Sequence, residues 1–157
     1  MADTFRYRHG PTNPVMVPVN SAVVIEIGDL VYLDTDDGKP ASSQADQGTE
    51  AGNQELFHDN FLGVAMQRSR SGDTDEVRVA TGGVFEFVSP SATYELGDLL
   101  GVDEAGGGTA LEDQQVAAVA TANLAVGRCA KRVAASDVKV LVSIHSTVMA
   151  GGPQAPA

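Results

Sequence analysis

Tryptophan is absent from this chain, and aromatic residues of all kinds make up only 5% of it. Bases and sugars are commonly held by stacking on aromatic rings, so the chain has little material for such a platform. Cysteine occurs once, at Cys129, which excludes an internal disulfide and fits assembly in a reducing compartment. Positive charge is scarce as well: 10 Lys and Arg stand against 21 Asp and Glu, a formal net charge of −11. Such a surface repels phosphate backbones and anionic lipid, so no nucleic-acid partner and no membrane partner is expected. Long apolar runs are missing too. The longest, Ala22 to Ile27 and Val138 to Ile144, fall far short of the roughly 20 residues of a bilayer-spanning helix. No apolar stretch follows the N-terminal charges, so no secretory signal is expected.

What is present points to one compact β domain. The 157 residues suit a single core, and a hydrophobic share of 43% is ordinary for a globular protein. Residues 1–20 hold Arg6, Arg8 and His9 among aromatics, with prolines at 11, 14 and 18 and one acid, Asp3. Proline at that spacing forbids a helix and predicts an extended arm; the alternative is that these residues contain the first strand, Val15–Val19, and both hold if the arm proper ends near Pro14. Residues 149–157, ending in Gly-Gly-Pro-Gln-Ala-Pro-Ala, read as a disordered tail. Between them, residues 21–148 carry short β-branched runs: Val23–Ile27, Leu30–Leu33, Val77–Val79, Val84–Val88 and Val138–Val142. Asp37-Gly38 and Ser71-Gly72-Asp73 supply turn chemistry, and Gly106-Gly107-Gly108 marks a loop tip. One short helix is expected within Thr49 to Asn60, around Glu55, Leu56 and Phe57.

An internal repeat organises the domain. Ile25-Glu-Ile-Gly-Asp-Leu-Val-Tyr-Leu-Asp34 aligns with Tyr94-Glu-Leu-Gly-Asp-Leu-Leu-Gly-Val-Asp103, with five of ten positions identical. Each copy then reaches a matching segment, Phe61–Arg68 or Ala125–Arg132, and closes on a turn with Asp73 or Asp137 before a valine-rich strand. The chain therefore reads as two related halves, about 22–80 and 91–148, packed as a barrel or sandwich because neither buries its apolar face alone.

No catalytic constellation stands out, so no enzyme, cofactor or metal site is expected. His9, His58 and His145 fall in the arm, on the helix and near the last strand's end. Lys131 and Arg132 could activate a thiolate at Cys129, but the repeat sets Cys129 where Ala65 stands in the first half, which makes it a small core residue. Asp34-Thr-Asp36-Asp37-Gly38 has the outline of a calcium loop, yet Ala45 occupies the position where a bidentate Glu belongs. That segment reads as a hairpin.

Gly28-Asp29-Leu-Val-Tyr-Leu33, Phe61-Leu-Gly-Val-Ala65, Val77-Arg-Val-Ala-Thr-Gly-Gly-Val-Phe-Glu-Phe87 and Gly97-Asp98-Leu-Leu-Gly-Val102 occur in an order that resembles the small capsid decoration, or cement, proteins of tailed phages. The likeness runs from about Val23 to Val142. It implies an all-β, barrel- or β-tulip-like domain, assembled as a homotrimer on the capsid exterior after synthesis in the host cytoplasm. It further implies the major capsid protein as partner. The loop Ala41–Asn60 and the long arm depart from the family's plainest members. Within the arm, Phe5, Arg6, Tyr7, Arg8, His9, Pro11 and Pro14 are the expected contact residues, because aromatic and arginine side chains dominate interface energetics. Another virion accessory, such as a head fibre or tail component, is the alternative of the same build; a small β-barrel enzyme or ligand-binding protein is the alternative of another class.

Overall fold

A computed structural model describes residues 2–106 and 109–150. The fold is all-β. Eleven strands run in chain order: β1 (Tyr7–His9), β2 (Val15–Val17), β3 (Leu30–Asp34), β4 (Asp37–Pro40), β5 (Phe61–Ala65), β6 (Val77–Ala80), β7 (Val84–Val88), β8 (Leu99–Glu104), β9 (Leu111–Ala118), β10 (Gly127–Cys129) and β11 (Lys139–Ile144). One sheet has the order β2-β6-β5-β3-β4 and the other β1-β7-β11-β10-β8-β9. Remove β1, and the second sheet repeats the first strand for strand.

Both sheets curl until their outer strands meet. In the second, β7 and β9 pair in parallel at Val88 and Gln115. In the first, the Gly38 N–H of β4 donates to the Pro18 carbonyl just beyond β2, at 2.8 Å. Each unit is thus a small five-stranded ring. The halves drawn from sequence begin too late: the units open on β2 and β7, at residues 15 and 84, and those strands lie outside 22–80 and 91–148. Three-residue β2 sits between prolines, which hid its pairing. Val23–Ile27, expected as a strand, makes only an isolated bridge from Ile25 to Ser69, and Tyr94 bridges Val133 in the same way.

The Gly-Asp turns explain why the repeat is visible. Gly28 and Gly97 have φ of 97° and 89°, a left-handed backbone that glycine adopts without a Cβ penalty. The next aspartate turns back: Asp29 Oδ2 accepts the Glu26 N–H and Asp98 Oδ2 accepts the Glu95 N–H, each at 2.9 Å. Gly28 and Gly97 then donate to the Ala65 and Cys129 carbonyls. The β3–β4 hairpin differs from expectation. Its turn is Thr35-Asp36, with Thr35 at φ 57°, and Asp37-Gly38 lie within β4. Gly38 is required there for space, since a Cβ would stand 2.8 Å from a Val17 methyl.

Strand alternation feeds two cores. Val31, Leu62, Ala65, Val77 and Val79 gather with Val17, Val19 and Ile25 inside the first ring. Leu30, Tyr32, Phe61, Val64 and Ala80, on the other face of the same strands, join Phe85, Phe87, Leu100, Val140 and Val142 of the second unit. The helix α1 (Glu50–Asn60) falls where expected; the Thr49 hydroxyl caps it by accepting the Gly52 N–H. Its buried side chains are Asn53, Gln54 and Phe57, so polar contacts hold much of it: Gln54 donates to the Val102 carbonyl at 3.0 Å. Two single turns of 3-10 helix, Ala41–Ser43 and Ala122–Leu124, add to the one short helix expected.

Candidate interaction surface

Residues 2–20 are extended, but they are not a free arm. The Thr4 N–H donates to the Ile27 carbonyl of the first unit at 2.8 Å. Two residues on, β1 adds to the outer edge of β7 in the second unit, with Tyr7 opposite Phe85 and His9 opposite Val84. The chain then straps over Gly82-Gly83, with the Thr12 carbonyl accepting from the Thr81 and Gly82 N–H groups, and enters β2. Prolines 11, 14 and 18 keep this stretch from coiling, and the extended pieces between them complete sheet edges. The N-terminal segment staples the two units together.

This sorts the expected contact residues. Phe5 is 72% exposed, touching Tyr7 edge-on. Arg8, His9, Pro11 and Pro14 are exposed, with Arg8 paired to Glu86 at 2.8 Å. Tyr7 is half-buried against Phe85 and donates its hydroxyl to the Gly10 carbonyl. Arg6 does not belong with them. Only 8% exposed, it gives Nε and Nη2 to the Gln114 Oε1 at 3.0 and 2.8 Å and Nη1 to the Glu86 carbonyl, and lies over the Phe87 ring. A guanidinium with that much buried bonding is a structural group. The remaining residues form an exposed rim: Arg8 and His9 on β1, the outermost strand of the six-stranded sheet, with Phe5 just before it and Pro11 and Pro14 after it.

Gln114, fully buried, is the hub beneath this segment. Its amide nitrogen donates to the Ala2 carbonyl at 3.1 Å, the Ile27 carbonyl at 3.3 Å and Asp29 Oδ1 at 2.8 Å. Residues 2–6 thereby seal Asp29, 1% exposed, whereas Asp98 in the second unit is exposed. Burial pushes the Asp29 carboxyl up to about 6, against the pull of hydrogen bonds from Glu26 and Gln114. The folded value lies above the unfolded value of about 4. Asp29's contribution to stability is therefore complete below about pH 4 and is lost as pH rises through about 6. Carbon-13 NMR of the Asp29 carboxyl should show a midpoint near 6; a midpoint near 4 would mean that the seal admits water.

Sequence reasoning did not single out Gln114, because an uncharged residue in a polar stretch, Glu112 to Gln115, carries no signal of a hub. The chemistry-bearing residues elsewhere lie apart. His9 ends β1, His145 follows β11, and His58 on α1 donates Nδ1–H to the Ala125 carbonyl at 2.7 Å. Cys129 is buried, its Sγ 3.1 Å from the Lys131 carbonyl oxygen, and burial pushes its thiol up, away from the thiolate a nucleophile needs. It aligns with Ala65 through the bond from the Gly of each turn. Among the described residues, no group of three or more His, Cys, Asp and Glu is placed to hold a metal ion, and no helix is long and apolar enough to cross a membrane. Residues 107 and 108 of the glycine loop and 151–157 of the expected tail lie outside the described residues. Met149 and Ala150, also assigned to that tail, turn back onto Ser146.

No family model matches the chain, and no curated protein matches it. Among solved structures, it is similar to the N base of the head fibre gp8.5 in bacteriophage phi29, at 13% identity. That alignment covers 83% of this chain and 93% of that chain, with a TM-score of 0.48.

Proposed function

We propose that the protein is a structural component of a phage particle that sits on the outside of an icosahedral head and bridges neighbouring major capsid proteins. The observation that supports this most is the rim: a rigid pair of β rings, stapled by their own N-terminal segment, presents Phe5, Arg8 and His9 along an outermost strand. A cement protein needs a stiff body and a surface that adheres without large ordering cost, and β1 is already ordered by β7. The order of sequence motifs supplies the partner class, a capsid protein, and the expected exterior placement. On this reading the protein works by adhesion, and catalysis has no part in it.

The test is co-sedimentation of the purified protein with shells that lack it, using Phe5→Ala and His9→Ala together. Neither side chain makes a buried polar bond, so the fold should survive by circular dichroism. Loss of an aromatic anchor should weaken shell binding by about 30-fold, the equivalent of about 2 kcal/mol. Unchanged binding would move the contact off the rim. Electron cryomicroscopy showing the protein elsewhere on the particle would replace cementing with a fibre or tail role.

A further inference from the structure

Charge is segregated along this molecule. From residue 40 to 67 and again from 79 to 127 there is no lysine or arginine. The fold brings those two stretches together. Asn53 of α1 donates to Asp46 Oδ1 at 3.1 Å and to Glu104 Oε2 of β8 at 3.3 Å. Asp113 of β9 accepts the Ser42 N–H at 2.7 Å. Burial raises the Glu50 carboxyl, and the neighbouring Glu104 and Asp103 push it further. This end of the protein is therefore acidic and repels itself.

Another part of the second sheet carries basic side chains. A cleft of about 440 Å³ beside β7 and β11 is lined by Lys131, Arg132 and Lys139, with Glu86 and Asp137 as its acids. Glu86 is already paired with Arg8, and Arg132 pairs with Glu95. Among the described residues, Lys131 and Lys139 are in no ion pair, and Val138 beside them in the lining is 54% exposed. On a chain of net charge −11, the two unpaired lysines of this cleft are complementary in charge to the acidic end.

We propose that the basic cleft of one copy docks the acidic α1–β8–β9 end of a second copy, head to tail. Two different surfaces meet in such a contact, so repetition closes a ring or runs on as a filament. The acidic end relieves its self-repulsion against Lys131 and Lys139, and Val138 is covered. This contact is separate from the rim on β1 and goes beyond the capsid-binding reading.

Sedimentation velocity of the purified full chain at about 50 µM tests it. Association should be present at about 0.1 M salt and weaken at least about tenfold at about 1 M, where screening shortens from about 10 Å to about 3 Å. Lys131→Glu with Lys139→Glu should give monomers, and so should Glu55→Lys with Asp59→Lys, which reverse two further carboxylates of α1. Mixing the two variants should restore association, because each supplies the pole that the other lacks and the reversed poles also match. A wild type that is monomeric at low salt, association indifferent to salt, or variants that associate like wild type would each overturn the proposal. The salt series needs only the wild type, so misfolding of a variant leaves the test intact. Shell binding scored in parallel separates failure here from failure of the rim.

Discussion

Gly63→Ala should leave the chain largely unfolded. A Cβ at Gly63 would lie 1.8 Å from the Ala80 carbonyl oxygen and 2.8 Å from its carbon. Those are backbone atoms of β6, held opposite β5 by the Val64–Ala80 register. No rotamer change can relieve the overlap; the two strands must separate, breaking the ladder at the centre of the first ring. Overpacking that only shifts side chains costs about 1–3 kcal/mol, and a displaced central strand exceeds that, against a total stability of about 5–15 kcal/mol. The same logic holds one repeat later, where a Cβ at Gly127 would stand 2.3 Å from the Ser143 carbonyl oxygen. Gly97→Ala is the control. Nothing lies within 4 Å of its Cβ, so only the left-handed backbone is penalised, by about 1–2 kcal/mol. Urea denaturation followed by circular dichroism ranks the three. If Gly63→Ala melts like Gly97→Ala, β5 and β6 are not packed as closely as described.

The repeat was legible because its chemistry is local. A glycine with positive φ followed by an aspartate that accepts a nearby N–H is specified within four residues, and the chain does this at Gly28-Asp29 and again at Gly97-Asp98. The same is true of α1, where Thr49 supplies the cap. The first strand of each unit was not legible in its role, because β2 and β7 are defined by their pairing to β6 and β11, some 60 residues along in the first case. The longest strand, β9, reads Leu-Glu-Asp-Gln-Gln-Val-Ala-Ala and shows neither β-branched enrichment nor clean alternation. Its buried Gln114 exists to satisfy partners at residues 2, 6, 27 and 29. Phe5 to Pro14 stand out in the sequence by charge and proline content alone. Composition could not tell that Arg6 has a partner 108 positions away, so a structural arginine was grouped with exposed ones.

That misgrouping yields the sharpest contrast available for the N-terminal segment. Arg6→Ala should destabilise the protein by about 2–3 kcal/mol, the cost of leaving a buried acceptor without its charged donor, while Arg8→Ala should cost at most about 1 kcal/mol, as exposed ion pairs do. The two residues are neighbours in sequence and identical in type; only their surroundings differ. Arg6 bonds Gln114 through two nitrogens and Glu86 through a third; Arg8 holds one carboxylate oxygen at the surface. Lysine should not rescue position 6, since one ammonium on a flexible stem cannot reproduce that planar fork. A double-mutant cycle with Gln114→Ala completes the argument. If the two side chains act as a unit, the double variant should be more stable than the sum of the single losses predicts, by an interaction energy on the order of 1–2 kcal/mol. Thermal melts at pH 5 and pH 7 should also separate the variants, because opening the seal over Asp29 lets its carboxyl ionise in water and flattens the stability loss between those two conditions. If Arg6→Ala and Arg8→Ala were equally mild and the cycle additive, residues 2–6 would be a loose tail, and the N-terminal segment would add only β1 to the core that the two β rings already share.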